Sequence, residues 1–121
     1  MPGVRSRLAL LPFLAAAACG SEKPPPAPDP AAGKKVYETY CFACHQLDGR
    51  GVAANGQRIA ADYTDPAGPL TQSDETLLAA INSGKTGLIG AMPPWRGVLS
   101  AQDQRDVLAY LRREFGQPKA D

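Results

Sequence analysis

Cys41-Phe42-Ala43-Cys44-His45 constrains this chain more than any other stretch. Two thiols three positions apart, followed at once by an imidazole, read as C-x-x-C-H. Thiols at that spacing reach one edge of a porphyrin and form thioethers with its vinyl groups. The adjacent imidazole then meets the iron from one face. The protein's share of the work is to bind, orient and tune the cofactor. Two other uses of the pair fit less well. A thiol-redox C-x-x-C expects a strand before it in a βαβ setting, whereas a helical pattern leads into Cys41. A structural zinc site needs four N or S ligands, and only Cys19, Cys41, Cys44 and His45 are on offer, with Cys19 committed elsewhere. His45 is the single histidine of the chain. Its place directly after the second thiol marks it as an iron ligand rather than a packing residue. One such motif, with no internal repeat, gives one haem.

The chain has 121 residues, room for one domain. The stretch that reads as folded, residues 30–116, is small enough for its core to be marginal alone. A buried haem supplies apolar contact that such a core lacks, so cofactor and fold are expected to be coupled. Formal charge is +1, and loss of Arg5 and Arg7 with a leader turns it slightly negative. A nucleic-acid protein usually shows a basic excess, so that class is excluded. The balance also provides no strong single-sign field for steering a partner.

Residues 1–18 read as a signal peptide. Arg5 and Arg7 form its positive start, and residues 8–18 form an apolar run too short to span a bilayer. Four alanines then lead into Cys19, resembling a bacterial lipobox with Ala16 where Leu is preferred. Cys19 is therefore expected to be the lipidated first residue of the mature chain; plain leader cleavage would leave a lone thiol, a liability in an oxidising compartment. Residues 19–29 form a proline-rich linker. Pro24, Pro25, Pro26, Pro28 and Pro30 rule out a helix interior there. Such a segment is semi-rigid at ~3.1 Å per residue, so residues 20–30 reach roughly 30 Å.

The spacing predicts three main helices. Asp29 caps the first and Pro30 suits its first position. Gly33, Val36, Tyr37, Tyr40 and Cys44 fall on one face at helical spacing. Residues 48–64, with Gly49, Gly51 and Gly56, read as an irregular loop over the haem. The second helix starts at Ser73-Asp74-Glu75, buries Leu77, Leu78 and Ile81, and ends at Asn82-Ser83-Gly84. Residues 84–97 are a glycine-rich loop in which Pro93 holds Met92 extended. With Met1 removed, Met92 is the only methionine left. It is the expected ligand for the second iron face; Lys85 or water are the alternatives. Ser100 and Asp103 cap the last helix, which carries Val107, Leu108, Tyr110, Leu111, Glu114 and Phe115 on its widened apolar side. Arg112 and Arg113 suit its negative end, and Gly116 and Pro118 stop it. Residues 117–121 form a tail.

These features in order resemble a class I cytochrome c: the C-x-x-C-H motif, the Met92-Pro93 loop, and a last helix with Val107-Leu108-Ala109-Tyr110-Leu111. The resemblance spans residues 30–116. It implies a small all-α fold wrapped around one covalently attached haem c, with Cys41 and Cys44 as its thioether links and His45 and Met92 as axial iron ligands. It also implies that the first and last helices cross at Gly33 and Tyr37 against Val107 and Tyr110. Many members place a proline soon after the motif whose carbonyl accepts a hydrogen bond from the proximal histidine. Here no proline occurs between His45 and Pro66, so another carbonyl must serve. Arg58, Tyr63 and Trp95 are the candidate haem contacts, as donors to the propionates.

The implied function is one-electron transfer between Fe(II) and Fe(III), without catalysis at iron. The chain is expected in the bacterial periplasm, monomeric, tethered to a membrane through Cys19, and serving redox proteins of a respiratory chain. Two alternatives remain: a cytochrome c subunit of a larger oxidase or dehydrogenase, and a haem-based gas sensor or enzyme in which Met92 leaves the iron.

Overall fold

The computed structural model describes Gly3, residues 9–13, Gly20, and residues 22–87 and 90–116. The first helix, α1 (Pro30–Val36), starts where the sequence places it. The Asp29 carboxylate accepts the Ala31 amide at 2.8 Å, and Pro30 occupies the first turn, where no amide is needed. The expected uninterrupted helix does not follow. A π-helical turn, Tyr37–Cys41, intervenes before α2 (Phe42–His45) completes the run. Its i→i+5 bonds fall behind the α-helical period, so the apolar face drifts. Gly33 and Tyr37 are buried as expected, but Tyr40 and Cys44 turn outward. That drift corrects the single-face reading of the first helix.

Residues 48–64 are not wholly irregular. Asn55 and Gly56, both at positive φ, form the two-residue turn of a short hairpin between β1 (Ala53–Ala54) and β2 (Gln57–Arg58). After a 3₁₀ turn at Pro69–Thr71, helix α3 (Asp74–Ser83) is capped by the Ser73 hydroxyl, which accepts the Thr76 amide at 3.2 Å. Leu77 and Ile81 are buried and Leu78 half-buried. A second hairpin pairs β3 (Lys85–Thr86) with β4 (Ala91–Met92), matching Lys85 to Met92. The extended backbone expected at Met92 is a strand residue here.

Helix α4 (Ala101–Phe115) opens on a complete capping box: Ser100 and Asp103 each satisfy the other's backbone amide. It ends at Gly116; Pro118 lies outside the described residues. Arg112 does more than complement the helix dipole. Its guanidinium donates to the carbonyls of Leu70 and Gln72 and to the Asp74 carboxylate, tying α4 to the start of α3.

The core forms where α1 crosses α4. A Cβ on Gly33 would stand 1.9 Å from the Asp106 carbonyl oxygen, so only glycine allows this approach. Just beyond, Tyr37 and Tyr110 pack at 5.3 Å between ring centroids, with Phe115 against both. Tyr63, Ile81, Val107 and Leu111 complete the buried cluster. Tyr37 is fully buried, and its hydroxyl donates to the Gln46 carbonyl. Tyr37→Phe removes that bond and leaves the carbonyl without this donor. We expect a loss of about 1–2 kcal/mol in denaturant unfolding of the haem-loaded protein, with no change in visible spectrum.

Candidate haem site

The helical run delivers the motif at its far end. Cys41 closes the π turn and packs against the aromatic cluster, while Cys44, one turn later, is exposed; both are free thiols. Burial, aided by the nearby Cys44, pushes the Cys41 thiol up to about 11. It is therefore a neutral group at pH 7, suited to an apolar partner. Immediately after His45 the backbone breaks away. Gln46 takes φ +61°, a region that side chains with a Cβ seldom enter. The Tyr37 hydroxyl on the Gln46 carbonyl and the Gln46 amide on the Phe42 carbonyl hold it there. Such strain concentrates at functional positions.

The chain then folds back over the motif. The amides of Gly51 and Val52 donate to the carbonyls of His45 and Cys44. Gly51 sits at φ +75°, and a Cβ there would lie 2.4 Å from the Ala60 carbonyl oxygen. That close approach brings the next segment onto the imidazole. The carbonyl of Ala61 lies 3.3 Å from His45 Nδ1. This is the acceptor that the missing proline left unassigned. A proton on Nδ1 facing a carbonyl leaves Nε2 as the lone-pair nitrogen, the tautomer that a metal ligand requires. Burial pulls the His45 pKa below its ordinary value, opposed by the Ala61 bond, so the ring is neutral at pH 7.

Tyr63 stacks on His45, with centroids 4.7 Å apart, and its hydroxyl lies 3.3 Å from Nε2. Burial drives the Tyr63 pKa strongly upward, so this hydroxyl stays protonated. Met92 is half-buried on the cluster to which Tyr63 belongs. The donor set thus fits a covalently held haem: two free thiols one turn apart, a neutral imidazole of fixed tautomer, and a thioether on the adjoining cluster.

The other expected contacts are scattered. Arg58 is exposed, pairs with Asp62 at 3.5 Å and donates to the Arg50 carbonyl. Trp95 packs edge-on against Tyr40 at 5.5 Å. A cleft of about 780 Å³ reaches the site only through Tyr63, between Leu70, Asp74, Arg112 and Phe115; the four sulfur and nitrogen donors do not line it. Neither the Ala61 carbonyl nor the strained Gln46 has a side-chain signature, so spacing could not have found them.

Comparison with known proteins decides the family. The family model described as cytochrome c oxidase, cbb3-type, subunit III matches residues 28–111. The chain belongs to this family of c-type cytochromes. It is 35% identical over 83 residues to cytochrome c6 of Limnospira maxima, covering 69% of this chain and 90% of that one. It is 30% identical over 83 residues to the cbb3-type cytochrome c oxidase subunit FixP of Bradyrhizobium sp. (strain ORS 278). That match covers 69% of this chain and only 27% of FixP. Among solved structures, cytochrome c6 from the diatom Phaeodactylum tricornutum aligns with a TM-score of 0.50 and 25% identity, over 69% of this chain and 90% of that one.

This cytochrome is therefore a class I monohaem protein with the small helical cytochrome c fold. Its cofactor is one covalently attached haem c, and its activity is haem-based electron transfer. In this cytochrome the Ala61 carbonyl faces His45 Nδ1, although no proline follows the motif before Pro66.

Proposed function

We propose that Cys41 and Cys44 bond the haem edge, that His45 and Met92 take the two iron faces, and that the chain is a membrane-tethered periplasmic electron carrier rather than an enzyme. The observation that carries this reading is His45: buried, neutral, and held in one tautomer by the Ala61 carbonyl. When bound, the haem supplies a one-electron Fe(II)/Fe(III) couple, with a potential raised by methionine ligation. The chain's residues do the rest. Ala61 orients the ligand, the cluster around Tyr37 and Tyr110 keeps water from it, and filled axial positions leave no room for a substrate. The domain works as a monomer with redox proteins of a respiratory chain.

Membrane tethering rests on Cys19, which lies outside the described residues. Among the described residues no helix is long and apolar enough to cross a membrane. Cys19→Ser is expected to move the protein from the membrane pellet to the soluble periplasmic fraction. Unchanged membrane association contradicts the lipid anchor.

A second reading has its own support. The oxidase-subunit family model and the FixP match favour a cytochrome module of a larger oxidase or dehydrogenase. Purification from native membranes in mild detergent separates the two. A carrier elutes alone, and a subunit elutes with its complex.

A further inference from the structure

We propose that Gln102 and Asp106 clamp the root of the N-terminal tether onto α4, so that the anchored domain holds its thiol end away from the membrane, toward an electron partner on the aqueous side. The orientation rests on the lipid-anchored reading of Cys19; the clamp itself does not.

Asp106 is a buried carboxylate, 5% exposed, on the second turn of α4. Its Oδ1 accepts two N–H groups, the backbone amide of Asp29 at 2.8 Å and the Gln102 side-chain amide at 2.8 Å. The same Gln102 amide lies 3.4 Å from the Ala27 carbonyl, while Arg105 donates to its oxygen at 2.6 Å and fixes its orientation. Charge-assisted bonds of this kind are the stronger class. Pro28 lies between the two pinned residues and Pro30 directly after them. Fixed proline φ angles pass the direction of the pinned residues to the neighbouring chain. A linker that composition alone reads as a free spacer is therefore held through Ala27 and Asp29. Residues 20–26 separate Cys19 from the clamp, and an extended proline-rich chain of that length reaches only ~20 Å.

The clamp and the haem motif lie at opposite ends of one helical run. The helical run begins at Pro30, beside the clamp, and carries Cys41, Cys44 and His45 to its other end, roughly 20 Å away at helical rise. Helix α4 crosses this run near the clamp: Asp106 and Val107 meet Gly33, and Tyr110 meets Tyr37, while Phe115 at the far end of α4 meets Tyr63, which stacks on His45. A tether rooted at the first end turns the second toward water. Phe42 and Leu47, exposed apolar side chains flanking the second cysteine of the motif, are then on the surface offered to a partner.

Two measurements on the haem-loaded full-length protein test this. In the soluble Cys19→Ser form, amide exchange at Asp29 should be slower than in Cys19→Ser/Asp106→Ala by about tenfold or more. Asp106→Asn, which keeps an oxygen acceptor, should restore protection, and Gln102→Ala should weaken it while leaving Asp106 in the helix crossing. Equal exchange in all forms overturns the clamp. In the second measurement, the lipidated protein is placed in nanodiscs with nitroxide on the lipid headgroups. Amide signals of residues 27–33 and 101–105 should lose more intensity than those of residues 42–47. Equal or reversed losses overturn the orientation. A mature protein without lipid overturns the anchored reading and the orientation with it, while the exchange measurement still decides the clamp.

Discussion

Met92→Ala is expected to abolish the methionine-to-iron charge-transfer band of the oxidised protein and lower the midpoint potential by on the order of 100 mV or more. With Met92 as the proposed ligand, the variant leaves the iron no other soft donor: the other methionine is Met1, at the start of the expected leader, and His45 is the single histidine. The reduced variant should bind carbon monoxide readily, whereas the unaltered protein resists it. Met92 sits half-buried on the second hairpin, so the packing loss is modest and the fold should survive. An unaltered spectrum in the variant would show that the thioether is not a ligand. Avid carbon monoxide binding by the unaltered protein would favour the gas-sensor reading. Met92→Lys helps to read the result, because an amine ligand gives a spectrum of its own while filling the same face.

Gly33→Ala is expected to be the most damaging conservative change outside the haem ligands. The added Cβ would fall 1.9 Å from the Asp106 carbonyl oxygen and 2.8 Å from the Val107 nitrogen. Both are backbone atoms of α4, so no side chain can rotate aside. The helices must separate, loosening the Tyr37–Tyr110 contact directly beyond. A cost of about 3 kcal/mol is expected from overpacking of this kind, which in a domain this small lowers the melting temperature by roughly 10–20 °C. Thermal unfolding of the haem-loaded protein measures it. Lys35→Ala, on an exposed position of the same helix, should leave the midpoint within error.

Much of the helical framework was legible because its signals act over three or four residues. Asp29, Ser73 and Ser100 are caps whose hydrogen bonds close within their own first turn. The Gly33–Tyr37 and Val107–Tyr110 pairs were legible through the family resemblance, and they do meet. The π turn at Tyr37–Cys41 was not legible, because it follows from docking Tyr37 between α4 and the Gln46 carbonyl. The acceptor for His45 was invisible for a related reason. Ala61 contributes a backbone carbonyl, and the close approach of Gly51 to Ala60 that brings it near depends on the folded loop. Arg112 and Gln102 look like ordinary surface residues of a helix end and helix start. Their roles depend on segments far away in sequence. The motif named the site chemistry, and tertiary contacts decide how the imidazole is aimed.

Covalent haem attachment through Cys41 and Cys44 underlies the whole account, and intact mass spectrometry of the denatured mature protein tests it most directly. The expected mass exceeds that of the mature polypeptide, with any lipid, by one haem. The Cys41→Ser/Cys44→Ser variant is expected to lose that increment and its visible absorption. A polypeptide without the increment, or one that keeps it after both cysteines are replaced, contradicts the account.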